Sequence, residues 1–168
     1  MGPVAGGLHQ FPRKSTLRGE CFLCAYASAS DQDEIHRIVH RGRFNLLVMN
    51  AYPYTNGHLL VAPRQHVGEL EQVPTEVLAE MVELMRNGVA VLKKVVHCQG
   101  INIGINLGRC AGAGLPDHLH IHLVPRWQGD TNFMSVIGNT RVISGSMQDL
   151  FERFRAAFAE LYPGAHSP

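Results

Sequence analysis

Charge is scarce in this chain, and long apolar runs are absent. Only 17% of its 168 residues are Asp, Glu, Lys or Arg, and these nearly cancel to a net charge of +1. That balance gives no electrostatic reason to expect a nucleic-acid or anionic-membrane partner. No apolar stretch approaches the roughly 20 residues that a membrane-spanning helix needs. Cysteine is sparse too. Cys21, Cys24, Cys98 and Cys110 are too few and too scattered for a disulfide framework. The opening "MGPVAGGLHQFPRKSTLRGE" lacks the apolar core of a signal peptide, and Gly6 stands where a myristoylation pattern wants Ser or Thr. These absences lead to the expectation of a soluble cytoplasmic protein with reduced thiols. The 45% of apolar residues is ample for one globular domain.

Residues 1–19, rich in Gly, Pro and basic side chains, are expected to form a flexible tail, with a single domain over 20–168. "EIHRIVHRG" (34–42) and "RFNLLVMN" (43–50) predict two strands, with Gly42 allowing a tight hairpin between them. "GHLLVAP" (57–63), "GINIGIN" (100–106) and "HLHIHLVP" (118–125) predict three more. Pro74 opens a long helix over 75–97, whose Val77, Leu78, Met81, Leu84, Met85, Val89, Leu92 and Val96 recur at steps of three and four. Gly88 weakens it by about 1 kcal/mol relative to Ala without breaking the pattern. After a short "TRVI" segment (140–143), residues 146–162 predict a C-terminal helix buried through Met147, Leu150, Phe154, Ala157 and Leu161. The fold class is therefore α+β, with about five antiparallel strands, one long helix and a C-terminal helix.

The chemistry concentrates in "GAGLPDHLHIHLVPRW", Gly112 to Trp127. His118, His120 and His122 alternate with Leu119, Ile121 and Leu123. In a strand, such residues share one face, so a row of imidazoles stands opposite an apolar row. A helix would scatter them, and Pro125 would break it. Three same-face histidines can bind a metal or act together on an anionic ligand; a solvated strand face is the plain alternative for any one of them. The preceding "NLGRCAGAGLPDH" supplies Gly108, Gly112 and Gly114, which let backbone N–H groups approach an oxyanion. Row and loop together suggest a phosphate. A neutral imidazole is a competent nucleophile toward phosphorus and leaves again readily from the phosphoryl-imidazolium.

"CFLC", Cys21 to Cys24, is a knuckle for a thiophilic metal where two further ligands exist; a pair of buried thiols or a redox pair are its alternatives. His66 and a histidine of the row are the obvious partners. His36, His40 and His97 compete on residue type, although His36 and His40 share a strand face of the kind that more often meets solvent.

Taken together, these residues resemble the histidine-triad (HIT) family, whose hallmark of three histidines alternating with apolar residues is matched by "HLHIHLV", His118 to Val124. Asn50 and Pro53 of "MNAYPYTNGH" resemble the family's nucleoside-binding strand end, and Gly57–His58 its following "GH". "CFLC", His66 and His118 are similar to the zinc-bearing branch. "GAGLPDHLHIHLVPRWQGDTNFM" resembles bacterial members that phosphorolyse or hydrolyse diadenosine tetraphosphate.

The resemblance implies a homodimer with a sheet continuing across its interface, AMP-type nucleotides and dinucleoside polyphosphates as ligands, and a structural zinc on Cys21, Cys24, His66 and His118. It implies that His120 attacks the α-phosphorus to form a nucleotidyl-histidine, while His122 holds a phosphate oxygen and hands a proton to the leaving group. Asn106, Gly112 and Gly114 would hold phosphate oxygens, Asn50 the ribose, and a slot from Phe44 and Leu46 to Met49 the base. His58 would support the site. Arg126 would bind outer phosphates or sit on the surface, and Trp127 would stack on a second base or fill an interface. Phosphorolysis is favoured slightly over hydrolysis. A nucleoside phosphoramidase is the alternative, and a non-catalytic zinc-stabilised nucleotide-binding module is the alternative from another class.

Overall fold

A computed structural model describes residues 21–130 and 146–165. The expected tail over 1–19 and the "TRVI" segment lie outside the described residues. Five segments pair into one sheet: β1 (Ile38–Arg41), β2 (Asn45–Met49), β3 (Leu59–Pro63), β4 (Gly100–Ile105) and β5 (Ile121–Arg126). Their spatial order is β1-β2-β3-β5-β4, and every neighbouring pair is antiparallel. Among the described residues the helices are α1 (Phe22–Ser28), the single turn α2 (Asp33–His36), α3 (Thr75–Val96) and α4 (Met147–Leu161). The α+β reading holds, with the long helix and the C-terminal helix where their periodicity predicts them. No helix among the described residues is long and apolar enough to cross a membrane.

Strand alternation divides the interior in two. Leu47, Met49, Leu59, Val61, Leu119, Ile121 and Leu123 face α3 and α4 and form the main core with Met81, Leu92, Phe151 and Phe154. Ile38, Leu46, Val48, Leu60 and Ala62 point the other way and pack against Cys21, Leu23 and Cys24 at α1. The expected base slot from Phe44 and Leu46 to Met49 therefore cannot be one surface. Consecutive strand residues point to opposite faces; Leu47 and Met49 belong to the helix side and only Leu46 and Val48 to the other.

Helix α3 lies close to the sheet because Gly88 has no side chain. A Cβ there would stand 3.2 Å from Leu47 Cδ1 and 3.4 Å from Leu123 Cδ1. Val91 and Val95 are buried beside the expected stripe, whereas Leu78, Met85, Val89 and Val96 are only partly covered. In α4 the stripe turns toward Phe151 and Phe158, and Leu161 at the helix end is 38% exposed rather than buried.

Two expectations near β1 need correction. The 34–42 segment is not a single strand, because α2 takes Asp33–His36 and Arg37 ends it in the left-handed region at φ 53°. A register irregularity between Ile38 and His40 follows. His36 and His40 consequently part company: His36 stacks on Tyr26 of α1 and His40 on Phe158 of α4, each with ring centroids 4.3 Å apart.

Gly42 serves the hairpin by its size. The Glu80 carboxylate accepts hydrogen bonds from Arg43 N–H (2.7 Å), Phe44 N–H (2.8 Å) and Asn45 Nδ2 (2.7 Å), and a Cβ on Gly42 would meet Glu80 Cδ at 2.9 Å. Hydrogen bonds to a charged acceptor are worth more than neutral ones, and Asn45 is fully buried. Glu80→Ala is expected to lower unfolding free energy by about 2–4 kcal/mol, read as a shift of the urea midpoint at constant m-value.

Candidate active site and metal centre

The lead-in to β5 carries the histidine row. The regular ladder begins at Ile121, so only His122 lies inside the strand, while His118 and His120 occupy an extended approach held by Leu119 N–H to Val67 O at 2.7 Å. Alternation persists through the approach. Leu119, Ile121 and Leu123 enter the core, and His122 stands opposite Leu60 on the other face. All three rings are nearly enclosed, at 0%, 8% and 9% exposure for His118, His120 and His122.

Each ring has one nitrogen bound to a partner of fixed role, which assigns its tautomer. His118 Nε2 meets the Pro63 carbonyl at 2.8 Å, so Nε2 carries the proton and Nδ1 a lone pair. His120 Nδ1 meets the His118 carbonyl at 2.8 Å, so Nδ1 carries the proton and Nε2 keeps the lone pair. For His122 the assignment passes through His58. Tyr54 N–H donates to His58 Nδ1 at 3.1 Å, as does Asn50 Nδ2 at 3.1 Å. His58 Nε2–H then donates to His122 Nδ1 at 3.0 Å, leaving the proton of His122 on Nε2. The row therefore pairs a lone pair on His120 with an N–H on His122, their ring centroids 4.8 Å apart.

Burial keeps the row neutral. It lowers His58 to a pKa of about 3, with His122 and His120 adding to the effect. It likewise lowers His122 to about 4, assisted by His120, and pulls His120 below the ordinary value against the His118 carbonyl. A histidine whose native pKa is depressed contributes fully above its unfolded pKa of about 6.5. As pH falls below that, the unfolded chain binds protons that the native state refuses, so stability declines. The decline continues toward the native values of about 4 and about 3. The melting temperature is expected to fall between pH 7.5 and pH 5, and less steeply in His58→Gln; equal slopes would exclude His58 as a contributor.

The remaining expected site residues are placed unevenly. Asn50 is buried at the end of β2, where its Oδ1 accepts Tyr52 N–H at 3.0 Å and its Nδ2 holds His58. Asn106 is half-buried just after β4. Gly112 and Gly114 lie in an exposed loop; Gly112 adopts φ 86° and turns its N–H onto Arg109 O at 3.0 Å. Arg126 is clasped by Asp130, Nε to Oδ2 at 2.6 Å and Nη2 to Oδ1 at 2.7 Å, with Nη1 on Asn102 Oδ1 at 3.0 Å. Trp127 is half-buried beyond it.

At the other end of the row, Cys21, Cys24, His66 and His118 each bring a ligand atom within 4.8 Å of one another, a group able to hold a metal ion. His118 Nδ1 lies 3.2 Å from Cys21 Sγ, and His66 Nδ1 lies 3.2 Å from Cys24 Sγ. The Pro63 bond points the His118 lone pair into the cluster, an outer contact typical of metal-binding histidines. His36, His40 and His97 are elsewhere. None of the four cysteines is joined in a disulfide among the described residues.

Residues 34–129 match the family model described as HIT domain. The chain belongs to the HIT domain family. It is 43% identical over 117 residues to the AP-4-A phosphorylase of Mycobacterium tuberculosis H37Rv, covering 70% of this chain and 60% of that relative. It is 31% identical over 94 residues to the asymmetrical bis(5'-nucleosyl)-tetraphosphatase of Schizosaccharomyces pombe, covering 56% of this chain and 51% of the relative. A zinc-bound histidine triad family protein from Mycobacterium smegmatis shares the fold at TM-score 0.70 and 27% identity, over 86% of this chain and 97% of that one. The chain thus spans 60% of the length of the mycobacterial phosphorylase.

The sequence marks His58 as a supporting group through the likeness of Gly57–His58 to the family's "GH", and in the fold it bridges Asn50 and His122. The Pro63 and His118 carbonyls are invisible in the sequence, since a main-chain acceptor leaves no trace in residue identity.

Proposed function

We propose that this HIT-family chain is an enzyme that cleaves dinucleoside polyphosphates, diadenosine tetraphosphate among them, through a nucleotidyl-histidine on His120. The observation that carries this reading is the His120 tautomer: Nδ1–H on the His118 carbonyl and a bare Nε2. Nε2 attacks the α-phosphorus and the bond to the leaving polyphosphate oxygen breaks, so the leaving nucleotide departs with the electron pair. The ring becomes an N-phosphoryl imidazolium whose positive charge the His118 carbonyl oxygen faces. An acceptor oxygen then attacks the same phosphorus and expels His120 neutral. His122 Nε2–H, oriented by His58, donates a hydrogen bond to a phosphate oxygen where charge develops, and the nucleotide leaves as its anion with no proton taken from the neutral ring.

Around this centre, Asn50 keeps one lone pair and one N–H for the ribose hydroxyls beyond its bonds to Tyr52 and His58. Asn106, with the loop of Gly112 and Gly114, takes the phosphate oxygens, and Arg126 reaches outer phosphates by sharing its hold on Asp130. The likeness to a phosphorylase favours inorganic phosphate over water as acceptor. Product identity in millimolar phosphate tests this. ADP plus ATP from diadenosine tetraphosphate supports phosphorolysis; AMP plus ATP at every phosphate concentration makes the chain a hydrolase. Turnover of adenosine phosphoramidate alone would favour the phosphoramidase, and no product from either substrate the binding module. Arg126→Ala adds a check, because loss of phosphate dependence with a residual hydrolytic rate places the acceptor beside Arg126.

Zinc is the metal we assign to the cysteine–histidine cluster. Two thiols and two imidazoles are a favoured tetrahedral zinc set, closed to further ligands. A closed site supplies no Lewis acid to the reaction and acts as a crosslink between α1 and the row. We further propose a homodimer joined along β4. That strand ends the sheet, and Ile103 and Leu107 there are 46% and 45% exposed. An exposed apolar edge invites a second strand; light scattering at the monomer mass would overturn this.

A further inference from the structure

We propose that Arg41 is a positioning residue for the metal centre, because it holds the far end of the helix that bears two of the ligands. Helix α1 has seven residues, and its N-cap, Cys21, makes no side-chain capping bond. A helix that short does not persist on its own in water. One end carries Cys21 and Cys24. The other ends in carbonyls that Arg41 collects: Nη2 donates to Tyr26 O and to Ala29 O, both at 2.8 Å, and Nη1 to Ala27 O at 3.3 Å. Asp33 holds the guanidinium from behind, Nε to Oδ1 at 2.6 Å. Inside the helix, Ser28 Oγ donates to Cys24 O at 2.9 Å, tying the capped turn to the ligand turn.

Arg41 stands opposite Leu46 in the β1–β2 register, and Leu46 packs in the apolar cluster beneath α1. An apolar residue would ordinarily fill such a place, since a guanidinium 3% exposed is costly to bury unless its donors are used. Here four bonds use them. A cation also suits the partial negative charge at a helix C-terminus, and the planar fork can span several carbonyls where a lysine ammonium cannot. Cys24 lies about 4.5 Å along the helix axis from Ala27, so tilting the clasped end moves Cys24 against His66 and His118. The helix is thus pinned twice, by ligands at one end and by Arg41 at the other.

This inference rests on the zinc reading, and one measurement separates the two. Zinc affinity is determined by competition with a chromophoric chelator in the full chain, for wild type, Arg41→Met, Arg41→Lys, Asp33→Asn and Glu80→Ala. Arg41→Met is expected to weaken zinc binding by about 10–100-fold, the range for outer-shell changes, with Arg41→Lys and Asp33→Asn intermediate. Glu80→Ala loosens the same β1–β2 hairpin from its other side, so it should lower the melting temperature and leave zinc affinity unchanged. Wild-type affinity in a folded Arg41→Met overturns the proposal, as does an equal loss in Glu80→Ala. If Arg41→Met does not fold, Asp33→Asn decides, with wild-type affinity counting against. Failure of the wild type to bind zinc overturns the metal assignment and this proposal with it.

Discussion

His120→Ala is expected to fold normally, to bind AMP, and to lose turnover of diadenosine tetraphosphate by a factor on the order of 10⁶, the scale seen when a covalent nucleophile is removed. The fold should survive because His120 contributes one bond to a carbonyl and belongs to neither apolar cluster. Nucleotide binding should survive because the proposed ribose and phosphate contacts come from Asn50, Asn106 and His122. The collapse should fall on kcat, since the unprotonated nitrogens of the other two rings are engaged: His122 Nδ1 accepts from His58, and His118 Nδ1 faces the cysteines. Initial rates with excess substrate, beside calorimetric titration with AMP, make the check. A mutant that keeps more than a tenth of wild-type activity would remove His120 from the role of nucleophile. His122→Ala should lie between, because the nucleophile remains while its hydrogen-bonding neighbour is gone.

Removal of the metal carries the second large expectation. Cys21 and Cys24 come from α1, His66 from the segment after β3, and His118 from the approach to β5. One ion there would join parts of the chain 97 residues apart in sequence. Structural zinc contributes directly to folding free energy. Chelation should lower the melting temperature by about 10 °C or more, given several kcal/mol lost and a shift of about 2–4 °C per kcal/mol at this size. Initial activity should fall less, since a closed site offers no open coordination position. Elemental analysis should find one zinc per chain in protein purified without chelator. Its absence, or coordination by His120 and His122, would defeat the assignment.

The features most legible in the sequence were those that depend on side-chain period. Alternation from His118 to Leu123 correctly separated an imidazole face from a core face, and the three-and-four spacing of α3 and α4 located both helices. The four residues of the candidate metal cluster followed from residue type together with the family resemblance, and they converge in space. What escaped was set by main-chain geometry. Arg37 in the left-handed region sends His36 and His40 to different neighbours, which no alternation rule foresees. Gly42 stands in the hairpin as expected, its N–H on Asn45 O, but the Glu80 carboxylate that its missing side chain makes room for left no trace in the local sequence. Leu161 fits the stripe of α4 but lies at its end, where covering residues run out. Carbonyl partners such as Pro63 O and His118 O decide the tautomers. They can be read only once the chain is folded.

The neutrality of the row has a consequence for how substrate arrives. A polyphosphate carries several negative charges, yet the rings that would receive it are uncharged near pH 7, and the nearby guanidinium of Arg126 is already balanced by Asp130. With a chain close to electroneutral overall, there is little long-range field to draw an anion inward. On the proposed function, recognition would work at contact distance, through N–H groups and loop dipoles that act only once the nucleotide is seated. Encounter should be a matter of unaided diffusion. Added salt should leave kcat/KM nearly flat across a range of ionic strength where an electrostatically steered enzyme would slow markedly.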